Sequence, residues 1–257
     1  MAAVKEKGRI ALYVAPCHKN KRFIYRVYVS LKKEKGTNKK TGTLSRRIDT
    51  LKLKDSIMAN NKIFKKSKVN KINSIAVWKN NKKLYLILNC IQKDTKNMNY
   101  VFELKGRRLY CQYSLITGNP YDRDGNTTSQ QGATFVGNDM NYYLVASHAH
   151  KKKNLDKEVF ESIWNNSYVF KYKLTIKNSR MKAKSTASYR LTAKKKVKWK
   201  RYWIKKWKQK WGKQWKKKVQ QKYTERFEME DLYIYKKRLF FNSEGGEKSL
   251  DFIGSFK

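Results

Sequence analysis

The sequence predicts a mainly β protein, built as a β-propeller or propeller-like set of repeated β-meanders, with one long amphipathic cationic α-helix inserted before the last repeat. Three observations lead to this prediction: strand-like runs fill most of the chain, a three-strand pattern recurs, and one basic segment carries tryptophan at helical spacing. With 40% apolar and 14% aromatic residues among 257, the chain can bury a core.

The N-terminal part of the chain predicts strands without a clear repeat. Residues Ile10–Val14 form a short apolar run, and Phe23–Leu31 is rich in β-branched and aromatic residues. Residues 32–42 are basic and contain glycine, which favours a loop. Residues 43–70 support no firm prediction.

A unit of strand, tight turn, strand, spacer and strand recurs three times from residue 72 onward. The predicted strands are Ile72–Trp78, Leu84–Leu88 and Tyr100–Leu104, then Gln131–Val136, Tyr142–Ala146 and Tyr168–Leu174, then Met229–Tyr235, Leu239–Asn242 and Leu250–Phe256. One meander cannot bury both faces alone, and radial stacking at ~40–50 residues per blade would bury them in a propeller. Residues 1–257 are therefore predicted to form one propeller-like domain, with an ordinary antiparallel sandwich or barrel as the alternative.

Residues 194–222 are predicted to form the inserted helix. Tryptophan recurs there at every fourth position, from Trp199 to Trp215. A step of four advances ~400° around an α-helix, so successive rings drift by only ~40° and form one aromatic stripe. The segment contains no proline and one glycine, Gly212. This glycine is the only weak helix former of note, and a helix formed by all 29 residues would be ~43 Å long.

The charge of the chain predicts an anionic partner. The sequence has 62 Lys and Arg against 19 Asp and Glu, a formal net charge of +43. The predicted helix carries 15 of the basic residues and no acid, and no acid occurs between Ser162 and Thr224. Such a chain repels itself unless a polyanion lies nearby. The expected partner is an anionic cell-wall polymer or membrane surface, and nucleic acid is a possible one.

Tryptophan and lysine together suit several anionic partners. Trp rings favour the membrane interface, while Lys extends to phosphates from an apolar surface, so the helix could lie on an anionic membrane. Rings that stack on bases would equally suit single-stranded nucleic acid. A third possibility is that the stripe only packs against the protein body. The predicted anionic-surface binding residues are Trp199, Trp203, Trp207, Trp211, Trp215, Lys200, Arg201, Lys205, Lys206, Lys208, Lys210, Lys216 and Lys217.

No motif in the sequence indicates catalysis, a metal or a cofactor. There is no GxSxG, P-loop or HExxH, and the three cysteines are widely spaced, as expected for apolar strand residues. Asp122–Gly125 favours a turn over a calcium loop, and His148 with His150 favours a polar loop. We therefore expect a protein that is not an enzyme and uses no cofactor.

Three stretches resemble secreted β-propeller proteins of lactic acid bacteria, a family that includes the helveticin-type large bacteriocins. They are Ile75–Leu86, Gln131–Phe135 with Tyr143–Ser147, and Phe227–Asn242. The resemblance implies a bacteriocin-like or cell-surface protein of a Gram-positive bacterium, secreted or attached to the surface. The sequence departs from this in starting without the apolar core of a signal peptide, which leaves a cytoplasmic location open.

Overall fold

The fold is described from a computed structural model of the chain. The structure describes residues 1–6, 9–16, 18–33, 35–36, 40–92, 97–115, 117, 129–136, 139–147, 167–190, 202, 204–218, 228–235, 238–244 and 252–255. Within these residues the protein is mainly β, with one helical segment of 15 residues near the C-terminus.

Seventeen strands form the described β-structure. They are β1 Ala2–Glu6, β2 Arg9–Val14, β3 Phe23–Lys33, β4 Lys40–Lys54, β5 Ser56–Ile57, β6 Ile63–Phe64, β7 Val69–Asn80, β8 Lys83–Gln92, β9 Asn97–Lys105, β10 Arg108–Leu115, β11 Ser129–Val136, β12 Asn141–Ser147, β13 Ser167–Lys177, β14 Arg180–Arg190, β15 Glu228–Tyr235, β16 Arg238–Glu244 and β17 Phe252–Ser255. A short 3₁₀ turn, Lys66–Lys68, precedes β7. Residues 204–218, hereafter the helical segment, follow β14 in the chain.

The three predicted meanders are confirmed as local units. Strands β7, β8 and β9 are neighbours in one sheet, β11, β12 and β13 in a second, and β15, β16 and β17 in a third. Strand β4, Lys40–Lys54, was not predicted, because its mixture of threonine, arginine and lysine carries no clear alternation.

The predicted propeller is wrong for the described residues, among which no radial set of separate blades occurs. The first meander belongs instead to an eight-stranded sheet of order β1-β2-β3-β4-β10-β9-β8-β7. Strand β10 pairs in parallel with β4, from Arg108 opposite Lys52 to Tyr110 opposite Lys54. The propeller prediction failed because a repeated strand-turn-strand pattern determines which strands pair within a hairpin. It does not determine which other strand pairs with the edge of that hairpin.

The eight-stranded sheet curls into a nearly closed, barrel-like form. Its two edge strands approach each other, and the Lys79 ammonium of β7 donates to the Lys5 carbonyl of β1. The inward-facing side chains build one core, in which Phe64 meets Phe102 edge to face at 5.1 Å. Fully burying a large apolar side chain contributes ~1.5–3 kcal/mol, so this interior is the main source of stability of the sheet.

The chain divides into two compact units. The first comprises Met1–Thr117, Ala133–Tyr142 and Tyr172–Lys184, and it contains the eight-stranded sheet. The second comprises Gly118–Gly132, Tyr143–Lys171 and Ser185–Lys257, and it contains the helical segment and the sheet of β15 to β17. The expectation of one domain over residues 1–257 stays a prediction.

Few acids occur in this basic chain, and Asp49 is held inside the sheet by three arginines. Its carboxylate lies 2.8 Å from Arg26, 2.9 Å from Arg107 and 3.4 Å from Arg47. The hydrogen bond from Arg26 holds the pKa of Asp49 below its usual value, despite the opposing effect of burial. The three guanidinium groups therefore neutralise the charge of this buried carboxylate, which would otherwise be costly to bury.

We predict that Asp49→Asn lowers the free energy of unfolding at neutral pH by about 2 kcal/mol, because it leaves the half-buried Arg26 guanidinium without the carboxylate that accepts its hydrogen bond. The folded-state pKa is depressed, so this stabilisation is present above the unfolded-state pKa near 4 and disappears as the pH falls through the folded-state value. Urea denaturation across pH should show the two proteins converging in acid. The control Asp55→Asn, at an exposed carboxylate, should change stability by less than about 1 kcal/mol. A difference in free energy of unfolding between the variant and the unchanged protein that stays constant with pH would contradict the prediction.

Candidate anionic-surface binding site

The structure describes only part of the predicted Lys/Trp helix. Trp199, Lys200, Arg201 and Trp203 lie outside the described residues, while the other predicted binding residues lie in the helical segment. That segment is helical as expected, since it contains no proline and is rich in lysine and glutamine. The prediction of one uninterrupted rod is wrong for the described part. Residues 204–211 are α-helical, Gly212–Gln214 form a 3₁₀ turn, and residues 215–218 are helical again.

Gly212 causes the interruption. Its φ of +50° lies in the left-handed region, which glycine enters without the penalty that a Cβ atom brings. In an unbroken helix the Cα atoms of Trp207 and Trp215 would stand ~12 Å apart along the axis. Their ring centroids lie 6.3 Å apart with an interplanar angle of 17°, a stacked arrangement. The turn thus folds the aromatic stripe onto itself.

The aromatic face of the helical segment is directed inward. Trp207 is only 2% exposed, and Ile204, Trp211 and Trp215 are half-buried. Ile204, Trp207 and Trp211 follow one another at steps of three or four, which places them on one side of the first helical stretch. Trp215, beyond the turn, stacks on Trp207. In the described part, the tryptophan stripe is therefore used mainly for packing.

The opposite face of the helical segment is cationic and exposed. All six predicted lysines in the segment are exposed, namely Lys205, Lys206, Lys208, Lys210, Lys216 and Lys217. Lys213 and Lys218 are exposed as well. The predicted set of binding residues did not include these two, although the basic run itself contains them. Since the segment has no acidic residue, eight ammonium groups share one short stretch of surface.

Three of the lysines lie against aromatic rings in or next to the segment. Lys206 lies 5.8 Å from the Tyr202 ring centroid, and Lys210 lies 5.3 Å from that of Trp211. Lys216 lies 6.0 Å from the Trp215 centroid. Such cation-π contacts contribute ~0.5–1 kcal/mol at exposed sites and hold the ammonium groups close to the rings.

The described part of the chain offers little support for a metal site, a reactive thiol or a membrane-spanning helix. No group of three or more His, Cys, Asp or Glu side chains suited to a metal occurs there. Asp122–Gly125, His148 and His150 fall outside it. Cys90 and Cys111 are buried in β8 and β10, and burial raises the pKa of both thiols, which keeps them protonated and unreactive. Among the described helices, none has both the length and the apolar character that a membrane crossing requires.

No family model, curated protein or solved structure matches the chain. The resemblance to the helveticin-type propeller family therefore stays a prediction.

We predict that Gly212→Ala lowers stability by about 1 kcal/mol and weakens the Trp207–Trp215 stack, because an alanine at positive φ is strained. The strain comes from the backbone around the added Cβ alone, since no atom of a more distant residue lies within 4 Å of it. Near-UV circular dichroism and urea denaturation check both effects, with Gln214→Ala as the control. If the segment were a continuous helix, the same substitution would instead raise helix content and stability.

Proposed function

We propose that the protein attaches to the anionic surface of a bacterial cell envelope, with the exposed lysines of the helical segment as the binding surface. The ligand class is a repeating polyanion, either a teichoic acid or a layer of anionic lipid headgroups. The observation that carries the proposal is the exposure of all eight lysines in a segment without an acid. Each basic residue near an anionic surface contributes ~1 kcal/mol of attraction.

The inward Trp face favours adhesion over lysis. A helix that disrupts a bilayer inserts its aromatic side chains, whereas Trp207 is buried and Trp211 and Trp215 are half-buried. Insertion would first require these rings to leave their packing. Of the bacteriocin-like hypothesis, we therefore keep the binding to the envelope through charge and not the lytic action. The protein would act as a non-lytic, wall-associated protein.

Nucleic acid is the second candidate ligand. The observation in its favour is the contact of Lys206, Lys210 and Lys216 with aromatic rings, which combines phosphate neutralisation with surfaces on which bases could stack. The inward direction of most Trp surface limits stacking, so this candidate stands second.

We predict that replacing Lys205, Lys206, Lys208 and Lys210 by Gln weakens binding to purified teichoic acid by about 100-fold or more, at about 1 kcal/mol per lysine. The matched control replaces four exposed lysines elsewhere, Lys62, Lys65, Lys66 and Lys68, by Gln. Both variants lose the same charge, so a difference between them reports the location of the site. Equal losses in the two variants would show that only the overall charge matters. Stronger binding to a single-stranded oligonucleotide would favour the second candidate.

We also predict that the intact protein binds vesicles containing phosphatidylglycerol without releasing a trapped dye, because the Trp face is packed. Dye release together with vesicle sedimentation separates lysis from adhesion. Release that is confined to anionic vesicles and lost in the Trp203/Trp207/Trp211→Ala variant would restore the lytic mechanism.

A further inference from the structure

At strands β2 to β4 the outward face of the eight-stranded sheet is apolar, where a sheet facing water is normally polar. In β3, Ile24 is buried in the core, and the alternating residues Tyr25, Val27, Val29 and Leu31 lie on the other face. Leu44 and Ile48 of β4 are directly opposite Val29 and Val27, and cross-strand partners share a face. These six residues are called the outer apolar face.

Strand β2 extends this surface on the other side of β3. Ile10, Leu12 and Val14 pair with Val29, Val27 and Tyr25. Contacts agree with the register. Phe23 meets Tyr25 edge to face at 5.0 Å, and a Cβ added to Gly42 would lie 3.2 Å from Val29 and 3.5 Å from Leu31. Apolar side chains therefore cover three adjacent strands.

Several of these side chains are strongly exposed. Leu44 is 61% exposed, Ile48 58%, Leu31 50% and Tyr25 36%. Isolated exposed apolar residues are ordinary, but a contiguous group of this kind indicates an interaction surface for a membrane or another molecule.

The charges around the outer apolar face are all positive. Lys5 is opposite Ile10, Lys52 is opposite Phe23, and Lys33 continues the alternation of β3, so the register places all three on this face. The acids of these strands lie on the inner face. Glu6 accepts a hydrogen bond from Tyr13, and Asp49 accepts one from Arg26. Within the described residues of β1 to β4, the outward face is thus acid-free, with lysine at its rim.

We propose that the outer apolar face docks on an anionic lipid bilayer. The aliphatic side chains and Tyr25 would enter the interfacial layer, and the lysines would contact lipid phosphates. A second copy of the chain does not fit, because each molecule carries a net charge of +43. Single-stranded nucleic acid fits less well, since bases stack on rings and most of this face is aliphatic. This inference goes beyond the proposed function, as it concerns a different surface and an apolar contact.

The test uses the full chain and sedimentation with vesicles of phosphatidylglycerol and phosphatidylcholine, at low salt and at ~1 M salt, where the Debye length is ~3 Å. Screening removes most of the attraction to the helical segment, so the binding that survives reports apolar docking. We expect Leu44→Gln with Ile48→Gln to lower the salt-resistant binding by about tenfold or more. The control is Ile57→Gln with Ile63→Gln, a cross-strand pair that is 69% and 65% exposed and lies outside this face. The salt-resistant binding of this control should stay within about twofold of that of the unchanged protein.

The outcomes separate this proposal from the preceding one. The variant with Gln at Lys205, Lys206, Lys208 and Lys210 should lose binding at low salt only. The proposal is wrong if the unchanged protein shows no salt-resistant binding, if the Leu44/Ile48 variant retains it, or if the control loses as much. A Leu44/Ile48 variant that loses oligonucleotide binding instead would assign the face to nucleic acid. The residues replaced in the Leu44/Ile48 variant and in the Ile57/Ile63 control are all exposed. Thermal unfolding curves that match that of the unchanged protein verify that each variant is folded.

Discussion

The short parallel ladder between β4 and β10 is the interaction on which the large sheet depends. It joins the meander of β1 to β4 to the meander of β7 to β10 through only three residue pairs. Several bonds converge on it. The Lys52 amide donates to the Arg107 carbonyl at 3.0 Å, the Arg107 guanidinium pairs with Asp49, and Leu53 and Leu109 are buried side by side in the ladder. Without this ladder each meander would expose its apolar inner face.

The shortage of acids gives each buried acid an unusual importance. Asp49 is shared among three arginines, and Glu103 lies 3.3 Å from Lys83 and 3.5 Å from Lys105. These carboxylates neutralise cations at the sheet, where repulsion would otherwise oppose pairing of the strands. The helical segment has no acid of its own, so its lysines keep their charge available for a ligand. Carboxylates thus offset part of the positive charge of the sheet, whereas the positive charge of the helical segment has no acid within the segment to offset it.

The sequence predicted the local structure better than the assembly. Alternation and turn residues located all nine strands of the three meanders, because these signals act over a few residues. The parallel pairing of β4 with β10 links residues more than fifty positions apart, and no local signal specifies it. In the helical segment, spacing predicted the face of Trp207, Trp211 and Trp215, but not the left-handed turn at Gly212. The outer apolar face had a partial signal, since every odd-numbered residue from Phe23 to Leu31 is apolar. Alternation marks such a face, but it does not say whether that face lies toward the core or away from it.

The joining ladder also has a consequence for the order in which the protein folds. The β3–β4 and β7–β8 hairpins form from neighbouring residues, whereas the ladder must close a long intervening chain. During synthesis, β4 leaves the ribosome well before β10 exists to pair with it. For that interval the nascent chain presents an unpaired strand edge beside an apolar face. The basic side chains of β4, including Arg47 and Lys52, keep other chains away from that edge until its partner arrives.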